Sequence, residues 1–307
     1  MLSRRKVWID GKLMPFNKAQ VPLMSHSFTR GSSVFEVMSL HNTDKGPAVF
    51  RLDDHIQRLF RSAEMIHMKL PLSAAKMKDA VKETLQANSV RQGMLKLICY
   101  YGGVEFEVVP RNTEVSVGVF VVDLQKDLSA ERFKKSERRP AEVCFSDWRK
   151  IDPRTVPVEC KCAANYLGGM VAKQDAIKKG FTAPVLLDLK GHIAEGATES
   201  LFLVKNGKLK TPKLDTILSG ITRRSVLELA GDANLDVVEK KVRPQELLEA
   251  DEAFFTSSVV KIWPISRVED IKLEAPGEMT RLLERMFEKI LTAKIKNYQK
   301  WFTIVEK

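Results

Sequence analysis

The sequence contains neither a long apolar run nor many cysteines, and each shortage argues against a class of protein. No segment has the roughly 20 consecutive apolar residues that a transmembrane helix needs, so we expect no membrane partner. The N-terminal segment is basic but has no apolar stretch of signal-peptide length, which predicts a cytoplasmic protein. Four cysteines in 307 residues are too few and too scattered for a disulfide framework.

Potential metal ligands are also scarce. Cys160 and Cys162 form a Cys-x-Cys pair, but no second cysteine or histidine cluster accompanies the pair to complete a tetrahedral zinc site. We therefore expect no metal centre.

The chain is basic, with a net charge of +11 and a pI of about 9.4. Such a charge raises nucleic acid as a partner. The densest basic run, residues 132–139, matches no nucleic-acid-binding motif, so a solvated surface is favoured and a basic nucleic-acid-binding protein is kept as a remote alternative. The positive field would attract anionic substrates and a phosphorylated cofactor.

Patterns in the first half predict a mixture of strands and helices. Asp10-Gly11 predicts a β-hairpin over residues 7–13. A helix is predicted to begin at a cap formed by Asp53 or Asp54, with Arg58 off its apolar face. Further segments complete this half: strands over 33–40, 48–52, 94–101 and 115–122, and a second helix over 73–87.

The second half repeats this mixture. A helix over 164–179 is predicted to turn Leu167, Met170, Val171 and Ile177 inward and to end at Gly180. Asn206-Gly207 predicts another hairpin. A C-terminal helix is predicted over 276–300, and two mixed α/β domains fit the order of elements best. The predicted division is a small N-terminal domain over 1–123, a polar connection over 124–139 and a large cofactor-binding domain over 140–307.

Lys161 and Glu195 are the residues whose types suggest chemistry. Lys161 lies among small or modest residues before a predicted helix, and Glu195 lies between a β-segment and a Gly-Ala-Thr turn. Pyridoxal phosphate enzymes use such a pair, because a lysine amine forms a Schiff base with the cofactor aldehyde and a carboxylate holds the pyridine nitrogen protonated. Either residue alone is more often an ordinary surface charge.

A phosphate group needs backbone N–H donors, preferably at the start of a helix, and usually an arginine. Gly220-Ile221-Thr222 enters a predicted helix, and Thr256-Ser257-Ser258 ends a predicted strand. Arg58 offers a guanidinium. Each of these signals is weak alone.

Five ordered stretches together resemble the fold-type IV pyridoxal phosphate enzymes, in particular the branched-chain aminotransferases, over nearly the whole chain. The stretches are Ser25–Glu36, Phe50–Ala63, Lys161–Leu167 (with Ala172-Lys173 and Gly180-Phe181 after it), Leu186–Phe202, and Ile217–Arg223 with Ala250–Ser258.

The resemblance implies an α/β (α+β) architecture of two mixed α/β domains, the D-amino acid aminotransferase-like fold, with pyridoxal 5'-phosphate in the interdomain cleft of a homodimer. It implies that Lys161 carries the cofactor and moves protons, that Glu195 binds the pyridine nitrogen, and that Tyr166 binds the phenolic oxygen. It further implies that the phosphate is held by Arg58, by the backbone N–H groups of Ile221 and Thr222, and by Ser258.

The substrate half departs from the branched-chain pattern. Arg30 stands where an aromatic residue usually precedes Gly31, and Val37 stands where glycine usually follows Glu36. Val37 is closer to the D-amino-acid transaminase pattern, whose Arg-x-His pair is matched here only by Arg111. The candidate substrate residues are Arg30, Phe35, Val37, Tyr100 and Arg111.

The leading hypothesis is therefore an aminotransferase that moves the amino group of a branched-chain or other apolar L-amino acid to 2-oxoglutarate. A D-amino-acid transaminase and an enzyme similar to aminodeoxychorismate lyase are the alternatives within the same fold.

Overall fold

The computed structural model describes residues 2–127 and 139–305. The predicted connection over 124–139 and the basic run over 132–139 therefore lie largely outside the described residues. The helices are α1 (His26–Arg30), α2 (Leu52–Met65), α3 (Ala74–Asn88), α4 (Leu167–Lys178), α5 (Ile221–Asp232), α6 (Pro244–Leu248) and α7 (Glu278–Leu291).

The strands form two sheets. Those of the first are β1 (Lys6–Ile9), β2 (Lys12–Pro15), β3 (Val34–Thr43), β4 (Gly46–Phe50), β5 (Gly93–Tyr101), β6 (Val115–Val122) and β15 (Phe302–Ile304). Those of the second are β7 (Ala141–Arg149), β8 (Ala183–Leu187), β9 (Ser200–Lys205), β10 (Lys208–Pro212), β11 (Val237–Lys240), β12 (Glu252–Ser257) and β13 (Lys261–Val268), with β14 (Ile271–Lys272) paired to β13.

The chain divides into two compact units. The first comprises Met1–Glu137, Cys160–Ala164 and Ile290–Lys307, and the second comprises Arg138–Glu159 and Asn165–Lys289. The predicted domain boundaries stay a prediction, but they assigned both Cys160–Ala164 and the C-terminal segment to the large domain, whereas these segments lie in the first unit.

The first unit is built on an antiparallel sheet in the order β15-β4-β3-β5-β6-β1-β2. Side chains alternate between the two faces of a strand. In β3, Val34, Glu36 and Met38 are therefore buried on one face while Phe35 and Val37 lie half-buried on the other. The buried face packs against α2 and α3 to form the core of this unit.

The second unit is built on a mixed sheet in the order β11-β10-β9-β12-β13-β7-β8. Strands β13, β7 and β8 run parallel to one another, whereas β9, β10 and β12 are joined by antiparallel pairs. Helix α4 packs on β7 and β8, and α5 packs beside β11 and β12. The predicted mixed α/β class is confirmed.

Three details of the predicted elements are wrong. Helix α2 begins after Arg51, whose φ is +52°, so Asp53 and Asp54 occupy the first turn and do not cap the helix. Arg58 was predicted to lie off the apolar face, but it is buried. The C-terminal helix ends at Leu291 because the backbone turns left-handed at Ala293, with φ +57°.

Helix α4 also differs from the prediction. Leu167, Met170 and Ile177 are exposed, and Ala172 and Ala176 form the buried face. Small side chains allow the helix to approach the rest of the unit closely, which the larger apolar residues would prevent.

Candidate active site

Lys161 lies in a short extended segment that pairs with the start of β3. The Phe35 N–H donates to the Lys161 carbonyl at 3.1 Å, and the Ala163 N–H donates to the Ser33 carbonyl at 2.9 Å. An isolated bridge between Val34 and Cys162 continues the pairing. The segment is therefore held as a strand, and its side chains point alternately to opposite sides.

This alternation separates Lys161 from its two cysteine neighbours. Cys160 and Cys162 are buried in the core of the first unit. The Lys161 Nζ atom lies 4.9 Å from the centroid of the Phe35 ring. A hydrogen bond with Cys162, together with burial, raises the pKa of the Cys160 thiol, so this thiol stays protonated and acts as a packing group.

Gly31 allows the lysine segment to approach α1. Its φ is +68°, and a Cβ atom at this position would lie 3.1 Å from the Ala164 backbone. Both the backbone conformation and the close approach favour glycine.

The candidate substrate residues Phe35, Val37 and Tyr100 share one face of the first sheet. Residues of β3 and β5 are in register, so that Phe35 faces Ile98 and Val37 faces Lys96 across the strand pair. This half-buried face is opposite the one that packs against α2 and α3.

Lys96 was missed by the sequence analysis although it lies on this face. Its Nζ atom is 4.6 Å from the centroid of the Phe35 ring, the same ring that Lys161 approaches. Burial lowers the pKa of the Lys96 amine. The signal available in the sequence was a single lysine in the otherwise apolar run 94–101. Lys96 is separated by two and four positions from Ile98 and Tyr100, so the three side chains lie on the same face of a strand.

Arg58 lies in a buried charged cluster. Its Nε and one terminal nitrogen donate to the two Glu36 carboxylate oxygens at 2.7 Å each, and His55 Nδ1 contacts the same carboxylate at 2.6 Å. Burial raises the pKa of Glu36, but the charges of Arg58 and His55 outweigh burial and bring the pKa to about 2. The Arg58 side chain is thus fixed by two parallel hydrogen bonds.

Arg30 and Arg111 are associated with the loop that follows β5. Arg30 is exposed and donates to the Phe106 carbonyl at 3.2 Å. Arg111 is exposed and pairs with Glu107. Both arginines therefore make polar contacts with residues of this loop.

In the second unit, Glu195 forms an ion pair with Lys150. The Lys150 Nζ atom lies 2.5 Å from Glu195 Oε1, and both side chains are largely buried. Lys150 follows β7, and its N–H donates to the Leu187 carbonyl at 2.8 Å. Glu195 lies beside β8, and its carbonyl accepts a hydrogen bond from the Leu186 N–H at 2.9 Å.

Ile221 and Thr222 form the first turn of α5, where the backbone N–H groups have no partners within the helix. A Cβ atom on Gly220 would lie 2.8 Å from the Ser200 hydroxyl, so the start of α5 closely approaches the start of β9. Ser200 pairs with Thr256 at the end of β12. The buried Thr256 hydroxyl has no hydrogen-bond partner among residues 2–127 and 139–305.

Ser258 lies in the turn between β12 and β13. Lys261 Nζ donates to the Ser258 carbonyl at 2.6 Å, and burial lowers the pKa of the Lys261 amine to about 7. Lys261 was another residue that the sequence analysis missed.

Tyr166 immediately precedes α4, which approaches the loop that carries Glu195. A Cβ atom on Gly169, in the first turn of α4, would lie 2.4 Å from the Ala197 carbonyl. The start of α4, which follows Tyr166, therefore lies close to the loop that follows Glu195.

Within the described part of the chain, no group of acidic, cysteine or histidine side chains is arranged to hold a metal ion. None of the described helices has both the length and the apolar character required to span a membrane.

The sequence model of amino-transferase class IV matches residues 33–268. The chain belongs to this family, and the predicted family is confirmed.

Within the class, the chain is similar to branched-chain aminotransferases. It is 29% identical to the branched-chain-amino-acid aminotransferase of Escherichia coli over 301 residues, or 96% of each chain. The crystal structure of the branched-chain aminotransferase from Thermoproteus uzoniensis with norvaline has a TM-score of 0.92 and 31% identity, over 98% of this chain and 99% of that one. The branched-chain amino acid aminotransferase from Thermobaculum terrenum in its PLP-form has a TM-score of 0.91 and 26% identity, over 100% of both chains.

Proposed function

We propose that the protein is a pyridoxal phosphate-dependent aminotransferase that transfers the amino group of a branched-chain or other apolar L-amino acid to 2-oxoglutarate. The observation that carries this proposal is the likeness to branched-chain aminotransferases along 98% of the chain, at a TM-score of 0.92.

The residues present fit the cofactor. The second unit offers a carboxylate at Glu195 and the N–H groups of Ile221 and Thr222, which have no partner within their helix. It also offers the buried hydroxyl of Thr256, which has no hydrogen-bond partner among the described residues. A helix start is suited to an anion such as phosphate. The first unit offers the Lys161 amine and the anchored Arg58 guanidinium.

We assign roles to these residues as part of the proposal. Bound pyridoxal phosphate would supply an aldehyde and an electron-withdrawing ring that makes the substrate α-hydrogen acidic. Lys161 would hold the cofactor covalently until the substrate amine displaces it, and its freed amine would then remove the proton from the substrate α-carbon and return it on the cofactor side. Glu195 would bind the ring nitrogen and Tyr166 the phenolic oxygen.

The phosphate would be bound by the N–H groups of Ile221 and Thr222, by Ser258 and by Arg58. Glu36 and His55 would orient Arg58 through the buried cluster described above. The turn that presents Ser258 is held by Lys261.

The half-buried face of the first sheet, which carries Phe35 and Val37, offers groups for both the amino acid and the 2-oxo acid. Phe35, Val37 and Ile98 offer apolar surface for a branched side chain. Lys96 offers a cation for the second carboxylate of 2-oxoglutarate.

We further propose that the protein acts as a cytoplasmic homodimer. Support for the dimer comes from an apolar surface in the first unit. Its two segments are joined by a β-bridge between Ser25 and Val104. Contiguous exposed apolar patches commonly mark interfaces. The exposed side chains of this surface are Leu23, Phe28, Val104, Phe106, Val108 and Val109.

The proposal is tested by an absorption spectrum of the purified protein with pyridoxal phosphate, followed by L-leucine, L-glutamate and D-alanine in turn. We expect a visible band of the lysine-bound cofactor that shifts to the pyridoxamine form with L-leucine and L-glutamate. A shift with D-alanine alone would instead identify a D-amino-acid transaminase, and pyruvate release without an amino acceptor would identify a lyase.

The control separates Lys161 from the other lysines. Lys161→Ala should abolish the visible band, whereas Lys179→Ala, which changes a lysine on the surface of the second unit, should retain it. A Lys161→Ala protein that kept the band would contradict the role assigned to Lys161.

A further inference from the structure

The ion pair between Lys150 and Glu195 has no role in the assignments above. Glu195 Oε1 lies 2.5 Å from Lys150 Nζ, with side-chain exposures of 9% and 15%. In the described part of the chain, this is the one ion pair of the Glu195 carboxylate. Because a carboxylate accepts hydrogen bonds at both oxygens, Oε2 is available to a second donor.

The backbone fixes both partners of this pair. Lys150 is anchored at the end of β7 by its N–H, and Glu195 is anchored beside β8 by its carbonyl. Since β7 and β8 are adjacent parallel strands, the two side chains are brought together by the sheet itself. A flexible surface lysine would lack this anchoring.

We propose that Lys150 is a positioning residue of the cofactor site that shares the Glu195 carboxylate with the ring nitrogen of pyridoxal phosphate. Through Oε1 it fixes the carboxylate and balances its charge, and it leaves Oε2 for the ring N–H. The inference rests on the proposed function, in which Glu195 binds that nitrogen.

A carboxylate shared by two cations depends less on either of them. When a buried ion pair loses one member, the remaining charge is left uncompensated at a large cost. Without Lys150, the protonated ring nitrogen would be the only cation available to Glu195. The protein should then discriminate more strongly between a cofactor that has this nitrogen and one that lacks it.

The test compares the affinity of the full chain for pyridoxal phosphate and for its deaza analogue, in which CH replaces the ring nitrogen. Both retain the aldehyde and the phosphate, so their affinity ratio isolates the contribution of the nitrogen. We would titrate the cofactor-free wild type, Lys150→Met and Lys150→Arg with each compound and follow the absorbance of the bound form.

We expect Lys150→Met to raise the preference for pyridoxal phosphate over the analogue by about tenfold or more, since tenfold requires only part of the cost of breaking a buried pair. Lys150→Arg keeps the charge and should leave the ratio within about threefold of wild type. The matched control is Lys179→Met, which breaks an exposed ion pair with Asp147 of β7. This variant should leave the affinity ratio unchanged.

Two results would overturn the inference. If Lys150→Met changed both affinities equally, Lys150 would serve only the fold. If the wild type bound both compounds equally, Glu195 would not engage the ring nitrogen. Failure of the cofactor assignment would be distinct, because the wild type would then give no bound form with pyridoxal phosphate, and a different reaction of the bound cofactor would leave this affinity ratio unaffected.

Discussion

Glu36 is fully buried and still ionised, because Arg58 and His55 surround its carboxylate. Its pKa of about 2 lies below the ordinary value of 4.5. A depressed carboxylate pKa contributes stability that is present above the unfolded-state pKa and is lost as the pH falls through the folded-state pKa. The contribution should therefore be complete at neutral pH and decline between about pH 4.5 and pH 2.

Glu36→Gln should lower the free energy of unfolding at pH 7 by about 3 kcal/mol, as expected from the pKa shift and from breaking a buried pair. Urea denaturation at several pH values would measure the loss, which should shrink as the pH falls below 4.5. Asp53→Asn is the control, because Asp53 lies in the same helix as Arg58 and forms an exposed pair with Lys78, and its loss should cost less than about 1 kcal/mol. A pH-independent difference for Glu36→Gln would contradict the assigned charge.

Lys96 should affect one substrate class more than the other. Lys96→Met should raise the KM for 2-oxoglutarate about tenfold, the order expected when a hydrogen bond to a charged group is lost. The KM for L-leucine should change little, and Lys96→Arg should restore binding of the dicarboxylate. Equal increases for both substrates, measured by steady-state kinetics, would show that Lys96 supports only the sheet.

Individual residues differ in how far the sequence revealed them. Lys161 and Glu195 could be selected because their flanking segments resemble a family. Lys96 and Lys150 could not, because a lysine in a strand or directly after one becomes informative only when the register shows which side chains it faces. The burial of Arg58 was missed for a related reason, since its partner Glu36 lies 22 positions away in the chain.

At the scale of elements, the turns were more predictable than the helix faces. Asp10-Gly11 and Asn206-Gly207 form the expected hairpins, and all four residues have positive φ. Such turns depend on local backbone preferences. The buried face of α4 depends on which neighbours the helix meets, so the apolar residues of its sequence indicated the wrong face.

Two adjacent glycines in α4 provide a test of this close packing. A Cβ atom on Gly169 would lie 2.4 Å from the Ala197 carbonyl, whereas nothing lies within 4 Å of one on Gly168. Gly168→Ala should therefore be neutral or stabilise the protein by up to about 1 kcal/mol, as helix propensity predicts. Gly169→Ala should lower the melting temperature and weaken pyridoxal phosphate binding, because the clash displaces the loop after Glu195.

Thermal unfolding and cofactor titration of the two variants would test whether the close packing of α4 positions the loop after Glu195. Similar behaviour of Gly168→Ala and Gly169→Ala would mean that the loop can move away without cost, and that α4 does not position it.

At the scale of the whole molecule, the exposed apolar surface around Phe106 predicts self-association. Phe106→Asp should weaken the proposed dimer, because it places a charge on an apolar surface that association would bury. Sedimentation velocity over a range of concentrations would measure the shift towards monomer. Leu189→Asp is the control, since Leu189 is also exposed, at 58% compared with 73% for Phe106, but lies in a turn of the second unit. A wild type that stayed monomeric at all concentrations would rule out this use of the surface.

The path of the chain has a consequence for recombination between related genes. Two segments that follow the start of the second unit belong to the first, Cys160–Ala164 and Ile290–Lys307, and Lys161 lies in the shorter of them. A hybrid that exchanged the first 127 codons would therefore combine β3 from one parent with a lysine segment from the other. Gly31 and Ala164 would have to be compatible across the junction, because a Cβ atom on Gly31 would lie only 3.1 Å from Ala164. Crossovers placed on both sides of codons 160–164, so that this segment travels with the first unit, should yield functional hybrids more often.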